Sequence, residues 1–260
     1  MSGALPGEVR AALEAFAARG RVLVALDFDG VLAPIVDDPD AARPLPAASA
    51  ALERLVAGTD VALVSGRDLA DLRARAAVPP QVVLVGGHGT QSSRSAAGTT
   101  VLSAGEEELL ARLGGALDEI AAGRAGVHVE RKPMSAVLHT RRAARPDAEA
   151  ATAAALAGPA TWAGVHALRG KEVVELGAVP LGKGGGLLRL REELSAEGAP
   201  VRAVLFAGDD VTDEDAFAAL SPADGDVTVK VGEGPTAAAL RVADPPAVAE
   251  LLTTLADLRA

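Results

Sequence analysis

Two patterns of apolar and polar positions take turns along this chain. Val22 to Phe28 is almost wholly apolar, as expected of a strand buried on both faces. Pro46 to Val56 places Leu52, Leu55 and Val56 on one side, as a helix would. Asp60 to Val64 and Val82 to Val85 read as further short strands, with a helix at Arg67 to Ala76 between them. Strand, helix, strand, helix, strand predicts a parallel sheet with crossover helices.

After residue 103 the pattern changes. Ala104 to Ile120 reads as a long helix, followed by two alternating segments around Pro133 that predict an antiparallel hairpin. An Ala-rich helix, Pro146 to Leu156, and two short strands around Gly170 complete a compact α+β lobe. The first pattern then returns, with helices at Lys183 to Glu197, Asp213 to Leu220 and Ala247 to Leu258 and strands at Val201 to Phe206 and Val227 to Val231. The expectation is an α/β core in two parts, 1–103 and 178–260, interrupted by an inserted α+β cap domain at 104–177. "TQSSRSAAGTT" and "LGAVPLGKGGG" stand where the two hinges are expected.

Composition narrows the function. The 260 residues are 49% hydrophobic but only 2% aromatic, so the core is built from Ala, Val and Leu, and base stacking on aromatic platforms is disfavoured. Net charge is −10 with no basic stripe, which argues against nucleic acid as a partner. There is no cysteine, hence neither a disulfide framework nor a thiolate metal site. Without a signal peptide or a long apolar span, the expectation is a soluble cytoplasmic protein with no membrane partner.

In open parallel sheets, ligands bind at the carboxyl ends of strands. Here those ends carry "DFDG" (Asp27, Asp29), "VSGR" (Ser65, Arg67), "GGHG" (His88) and "AGDDVTDED" (Asp209, Asp210, Asp213, Glu214, Asp215). Lys183 opens a helix in a Gly-rich turn. Each has a plain alternative. "DFDG" alone fits a turn and helix cap as well as a reaction centre. "GKGGG" lacks the spacing of a Walker A loop, and "GDDVTDED" alone fits an acidic helix start.

Together they say more. Carboxylates from separate strands would repel at one sheet edge unless a cation joins them, and a hard, oxygen-rich site suits Mg²⁺. A lysine and a serine beside such an ion can hold a phosphoryl group that a carboxylate attacks.

The order "DFDGV…VSGR…GKGGG…GDDVTDED" resembles the haloacid dehalogenase (HAD) superfamily of phosphatases. With "LDFDGVLAPI", "GGHG", "ERKPMSAVLHTR" and "GDDVTDEDAF", it resembles more narrowly the trehalose-6-phosphate phosphatases, over nearly the whole chain. The resemblance implies a HAD-like Rossmannoid core with a parallel sheet plus the inserted cap. It also implies hydrolysis of trehalose 6-phosphate through an aspartyl-phosphate on Asp27, with Asp29 as general acid and then general base. By the same resemblance Ser65 bonds the phosphoryl oxygens and Lys183 neutralises their charge. Mg²⁺ is expected on Asp27, the Asp29 carbonyl and Asp209, with Asp210 and Asp213 nearby. Gly66, Arg67 and His88 are expected to adjoin the substrate. The ligand is then a small sugar phosphate, and functional pairing with a trehalose-phosphate synthase is compatible with it. Other sugar phosphates, of sucrose, mannosyl-glycerate or a hexose, and a non-catalytic sensor or partner subunit on the same fold are the alternatives.

Two positions depart from the family pattern. Val31 stands where a threonine is more frequent, and "ELGAVPLGKGG" lacks the Arg-Pro pair and acidic residue expected beside Lys183.

Strand side chains alternate faces. His128, Glu130 and Lys132 therefore share one face of the first cap strand, and Val137, His139 and Arg141 one face of the second. If the two faces coincide, the sheet has an apolar side (Val127, Val129, Ala136, Leu138) and a polar side. A polar sheet face is usually just solvated. The resemblance favours sugar contacts from Glu130, Lys132 and Arg141, with Lys171 and Glu175 on the fourth strand.

Overall fold

The structure, a computed structural model, describes residues 5–95 and 102–260. In chain order the elements are α1 (Gly7–Ala17), β1 (Val22–Leu26), α2 (Pro46–Leu55), β2 (Asp60–Val64), α3 (Leu69–Ala76), β3 (Val83–Gly86) and β4 (Gln91–Ser92). Next come α4 (Ala104–Ala121), β5 (His128–Arg131), β6 (Ser135–His139), α5 (Arg145–Ala157), β7 (His166–Gly170) and β8 (Val173–Gly177). The chain ends with α6 (Gly182–Ala196), β9 (Ala203–Gly208), α7 (Glu214–Ala219), β10 (Val227–Val231), β11 (Leu240–Val242) and α8 (Pro245–Leu258). It divides into two compact units, Met1–Thr99 with Gly182–Ala260, and Thr100–Leu181.

The first unit is built on a seven-stranded sheet in the order β11-β10-β9-β1-β2-β3-β4. The pairs from β11 to β3 are parallel, and β4 runs antiparallel to β3. From β1 the chain winds outward through β2 and β3, and after the insert it winds the other way from β9. The direction therefore reverses between β1 and β9, the place where open α/β sheets bind ligands.

Alternation sorts the strand residues onto two layers. Val22, Val24 and Leu26 join Leu205 and Ala207 in one apolar cluster with α1, α2 and α8. Leu23, Ala25, Val204 and Phe206 face the other way onto Leu187, Leu190 and Leu194 of α6 and Phe217 of α7. Buried on both faces, β1 and β9 are nearly free of polar side chains until the strand ends.

Several details differ from the sequence reading. The helix α1 was not among the expected elements, although Val9, Leu13 and Phe16 recur at helical spacing and are buried. The strand expected at Val201 to Phe206 lies two residues later, so Asp209 follows β9 directly. The helix expected from Arg67 begins at Leu69, capped by the Asp68 side chain, which leaves Arg67 in the loop before it. "GKGGG" is no free linker, since it forms the buried first turn of α6. A Cβ at Gly186 would lie 2.6 Å from the Gly89 Cα, so small residues let this turn sit against the loop after β3. The first expected hinge lies in part outside the described residues.

The second unit is a four-stranded antiparallel sheet in the order β5-β6-β8-β7. Val129 pairs with Leu138 and Ala136 with Leu176, so the apolar sides of the strands coincide. Helices α4 and α5 cover that side through Leu113, Leu117, Ala151 and Ala155. The opposite side carries His128, Glu130, His139 and Glu175, because His128 pairs with His139 and Glu175 with Val137.

In the first unit, Asp226 is buried and accepts from Arg191 Nη1 (3.1 Å) and from the amides of Val204 (2.8 Å) and Ser221 (3.0 Å). It ties α6, β9 and the loop before β10 together. Asp226→Ala should cost about 3 kcal/mol, since unsatisfied buried donors cost roughly 1–3 kcal/mol each. Urea unfolding measures this, and a cost under about 1 kcal/mol would show that water satisfies the freed amides.

Candidate active site

The end of β1 turns sharply. Leu32 and Ala33 amides donate to the Phe28 carbonyl, and Gly30 N donates to the Ala33 carbonyl. Phe28 drops into the apolar cluster, which leaves Asp27 and Asp29 on either side of an anchored ring. Gly30 has φ +70°, and a Cβ there would fall 2.0 Å from Asp209 Oδ2. The turn therefore brings the ends of β1 and β9 closer than a side chain would allow.

Asp27 is 4% exposed. Its Oδ1 accepts from the Phe28 amide (2.6 Å) and its Oδ2 from Lys183 Nζ (2.7 Å). Lys183, also buried, donates equally to Asp213 Oδ1 at 2.7 Å. The other oxygen of Asp213 accepts from the amides of Asp209 and Asp210, each at 2.9 Å. Asp213 thus holds both Lys183 and the backbone that carries Asp209. Burial raises the Asp27 carboxyl to about 7, with Lys183 pulling it down and Asp213 pushing it up. Burial opposes charge on Lys183, but the two carboxylates outweigh it and its pKa is raised. Asp209 is lifted to about 6, by burial first and by Asp213 next.

A cleft of about 440 Å³ opens here, lined by Asp27, Asp29, Ile35, Ser65, Gly66, Arg67, His88, Lys183, Asp209, Asp210 and Thr212. Ser65 directly follows β2, with its hydroxyl buried and accepting from the Arg67 amide (3.2 Å). His88 follows β3, with φ +54° and its amide donating to the Ser65 carbonyl (3.0 Å). Burial and the Lys183 charge push its imidazole pKa down.

Each residue expected in the core half of the site lines this cleft except Asp213, which lies fully buried behind Lys183. Carboxylate oxygens of Asp27, Asp209 and Asp213 approach within 4.8 Å of one another, a spacing that could hold a metal ion. Their chemistry fits a hard divalent cation, because all three offer carboxylate oxygens and burial raises two of them, Asp27 and Asp209, whose charge a cation would compensate. Asp213 is fully buried behind Lys183 and does not line the cleft, so it fits orientation of the set better than direct ligation. Asp210 is exposed and caps the turn after β9 through the Val211 amide (2.6 Å).

Arg67 lines the cleft but is held by its own unit. It meets Asp29 with two bonds, at 2.6 and 2.8 Å, and donates to Asp71 (2.6 Å) and to the Pro39 carbonyl (3.0 Å). Lys230, buried on β10, donates to the Asp209 carbonyl. The sequence reading passed over both Asp71 and Lys230. A lysine inside the otherwise apolar "VTVKV" was a visible signal for Lys230.

In the inserted unit, Lys132 Nζ meets Glu175 at 3.2 Å, and Ser135 Oγ donates to the same carboxylate at 2.5 Å. Glu130 bonds His139 (2.8 Å), whose ring stacks on His128 with centroids 4.7 Å apart. Two placements differ from expectation. Arg141 lies beyond the end of β6, facing Glu172 at 3.9 Å, and Lys171 sits in the β7–β8 turn and not on a strand. Both are at the end of the sheet away from Lys132, so the five expected sugar contacts do not form one cluster.

Residues 25–246 match the sequence family described as Trehalose-phosphatase. This chain belongs to that family. It is 38% identical over 252 residues to the trehalose-phosphate phosphatase of Mycobacterium avium, covering 90% of this chain and 62% of that protein. The Mycobacterium tuberculosis trehalose-phosphate phosphatase is 37% identical, with 90% and 61% covered. The chain therefore spans 62% or less of these curated relatives. A solved trehalose-6-phosphate phosphatase from Aspergillus fumigatus superposes with a TM-score of 0.72 at 27% identity, covering 99% of both chains. The fold is accordingly the HAD type, with a mainly parallel core sheet and a separate antiparallel one. Among the described residues, no helix is long and apolar enough to cross a membrane.

Because Asp27 and Asp209 must lose protons to bind a cation, affinity for Mg²⁺ should rise as pH passes from about 5 to about 8, through the values near 6 and 7. Calorimetric titration at a series of pH values checks this. An affinity flat across that range would mean the carboxyls are already ionised without the metal.

Proposed function

We propose that this chain is a Mg²⁺-dependent phosphatase that converts trehalose 6-phosphate to trehalose and phosphate. The observation that carries this reading is the convergence of Asp27, Asp29, Ser65, Lys183 and Asp209 on one cleft at the β1/β9 reversal. Family membership supports the substrate.

The residues divide the work. Asp27, held at both oxygens by Lys183 and the Phe28 amide, has little freedom to turn and so presents a fixed nucleophile. As an Asp27 oxygen bonds to phosphorus, the bond from phosphorus to the sugar oxygen breaks. The electron pair left on that oxygen takes a proton from the Asp29 carboxyl. Asp29, now a carboxylate, removes a proton from the water that attacks phosphorus, releasing phosphate and restoring Asp27. The Lys183 ammonium and the Ser65 hydroxyl supply charge and a donor to the phosphoryl oxygens, the main resource in this class of reaction. Asp27, Asp209 and the Asp29 carbonyl would hold Mg²⁺, which when bound neutralises charge on the phosphoryl oxygens and on the carboxylates. His88, with its pKa depressed, adds a neutral polar group at the rim.

Choice of sugar falls to the inserted unit in this reading. Its polar sheet face offers Lys132 and Glu175 as a preformed pair with Glu130 nearby, suited to hydroxyls that both donate and accept. Arg141 and Lys171, at the other end of the sheet, would meet only a larger ligand.

Phosphate release should be measured on trehalose 6-phosphate, sucrose phosphate, mannosyl-glycerate phosphate and a hexose 6-phosphate, for the wild type and Glu175→Gln. The expected result is a preference for trehalose 6-phosphate of at least about 10-fold in kcat/KM, reduced in the variant through KM. Equal use of all four would contradict the substrate assignment.

A further inference from the structure

The carboxylate assigned to proton transfer is the first member of a chain of alternating charges. Asp29 is held at both oxygens by Arg67. The next nitrogen of that guanidinium donates to Asp71 (2.6 Å). The second Asp71 oxygen accepts from Arg75 Nε (2.6 Å), and Arg75 in turn reaches the carboxylate and the carbonyl of Asp40. The run Asp29–Arg67–Asp71–Arg75–Asp40 links the cleft to α3 and to the loop that follows the β1 turn.

Arginine–aspartate pairs four residues apart are common on solvated helix faces, where each is worth only about 0.3–0.5 kcal/mol. These are not such pairs. The Arg67 and Arg75 side chains are 13% and 14% exposed, and their bonds to Asp29 and Asp71 are partly buried, while Asp40 at the outer end is open to solvent. Arg67 also lies over the Phe28 ring, with its guanidinium carbon 5.5 Å from the centroid, which fixes its plane from below. Each guanidinium spans two acceptors with its planar fork, a geometry a lysine could not reproduce. The hydrogen bond from Arg67 holds the Asp71 carboxyl below its usual range, Arg75 adding to it, so Asp71 stays charged.

We propose that Asp71 and Arg75 are positioning residues for the leaving-group step, setting the orientation of the Asp29 carboxyl through Arg67. This rests on the assignment of Asp29 as general acid. With Arg67 tethered through Nη1 by Asp71, and with Nη2 shared between Asp29 and the Pro39 carbonyl, its Nε–Nη2 edge fixes both Asp29 oxygens and so the plane of that carboxyl. Cutting the tether one step away frees the guanidinium to follow solvent, and the carboxyl turns with it. The nucleophile is untouched, because Asp27 is held by Lys183 and Phe28.

The test exploits the leaving group. A sugar alkoxide needs the proton from Asp29 as its bond to phosphorus breaks, whereas the phenolate of p-nitrophenyl phosphate departs without one. kcat/KM covers the steps up to that departure. Asp71→Asn should lower kcat/KM for trehalose 6-phosphate about 10-fold, a misplaced-group effect, while p-nitrophenyl phosphate changes by less than about 2-fold. Arg75→Gln should act in the same direction by about 3-fold, and the double variant should fall short of the product of the two because they share one path. An equal loss on both substrates would overturn the proposal in favour of a structural role, and so would no loss on either. A wild type that ignores trehalose 6-phosphate but cleaves another sugar phosphate contradicts the substrate reading alone, and the same ratio is then taken on that sugar.

Discussion

The buried ammonium of Lys183 between Asp27 and Asp213 is the interaction on which the rest of the site depends. Two carboxylates at this depth repel each other, and burial, with Asp213 adding to it and Lys183 opposing it, raises Asp27 to about 7. One lysine serving both is what allows the end of β1, the first turn of α6 and the loop after β9 to meet. Losing one member of such an arrangement strands charge in the interior, which costs about 3–5 kcal/mol. That cost explains why the supporting structure is dense around it: Asp213 takes two backbone amides, and Lys230 fixes the Asp209 carbonyl from the other side.

The fold makes this convergence possible through its topology. Strands β1 and β9 are neighbours in the sheet but 177 residues apart in the chain, from Leu26 to Ala203. Because the chain winds away from them in opposite directions, no crossover helix covers their carboxyl ends. Gly30 then admits Asp209 within a distance that any side chain would block. Charge that would be unfavourable at a sheet centre is thus concentrated where an anionic ligand and a cation can neutralise it. The net charge of −10 is no obstacle to an anionic substrate on the proposed reading, since Lys183, together with the cation that reading places beside it, would set the local field.

Much of this was legible in the chain itself. The strand–helix alternation, its interruption and its return announced a split core with an insert, and Asp27, Ser65, Lys183 and Asp209 stand at strand or helix ends where ligands bind. The hairpin faces coincided because period-two alternation leaves little choice once one side is apolar. What local pattern could not carry was partnership across distance. Arg67 reads as a free cation beside "VSG" until Asp29 and Asp71 are seen to hold it. Asp213 reads as one of several equivalent acids until both its oxygens are found occupied. Arg141 and Lys171 sat one or two residues past strand ends, where alternation no longer dictates direction. The short helix α1 carried a clear apolar stripe and was simply overshadowed by the stronger signal of β1.

The claim at the centre of the account is that Asp27, and no other acid in the cleft, takes the phosphoryl group. Mixing enzyme with trehalose 6-phosphate, quenching within one turnover and reducing with borohydride converts an acyl phosphate to the corresponding alcohol, which peptide mass spectrometry locates. The account predicts homoserine at position 27 and unmodified aspartate at 29, 209, 210 and 213. Reduction at another of these positions, or at none of them while phosphate is still released, would contradict it.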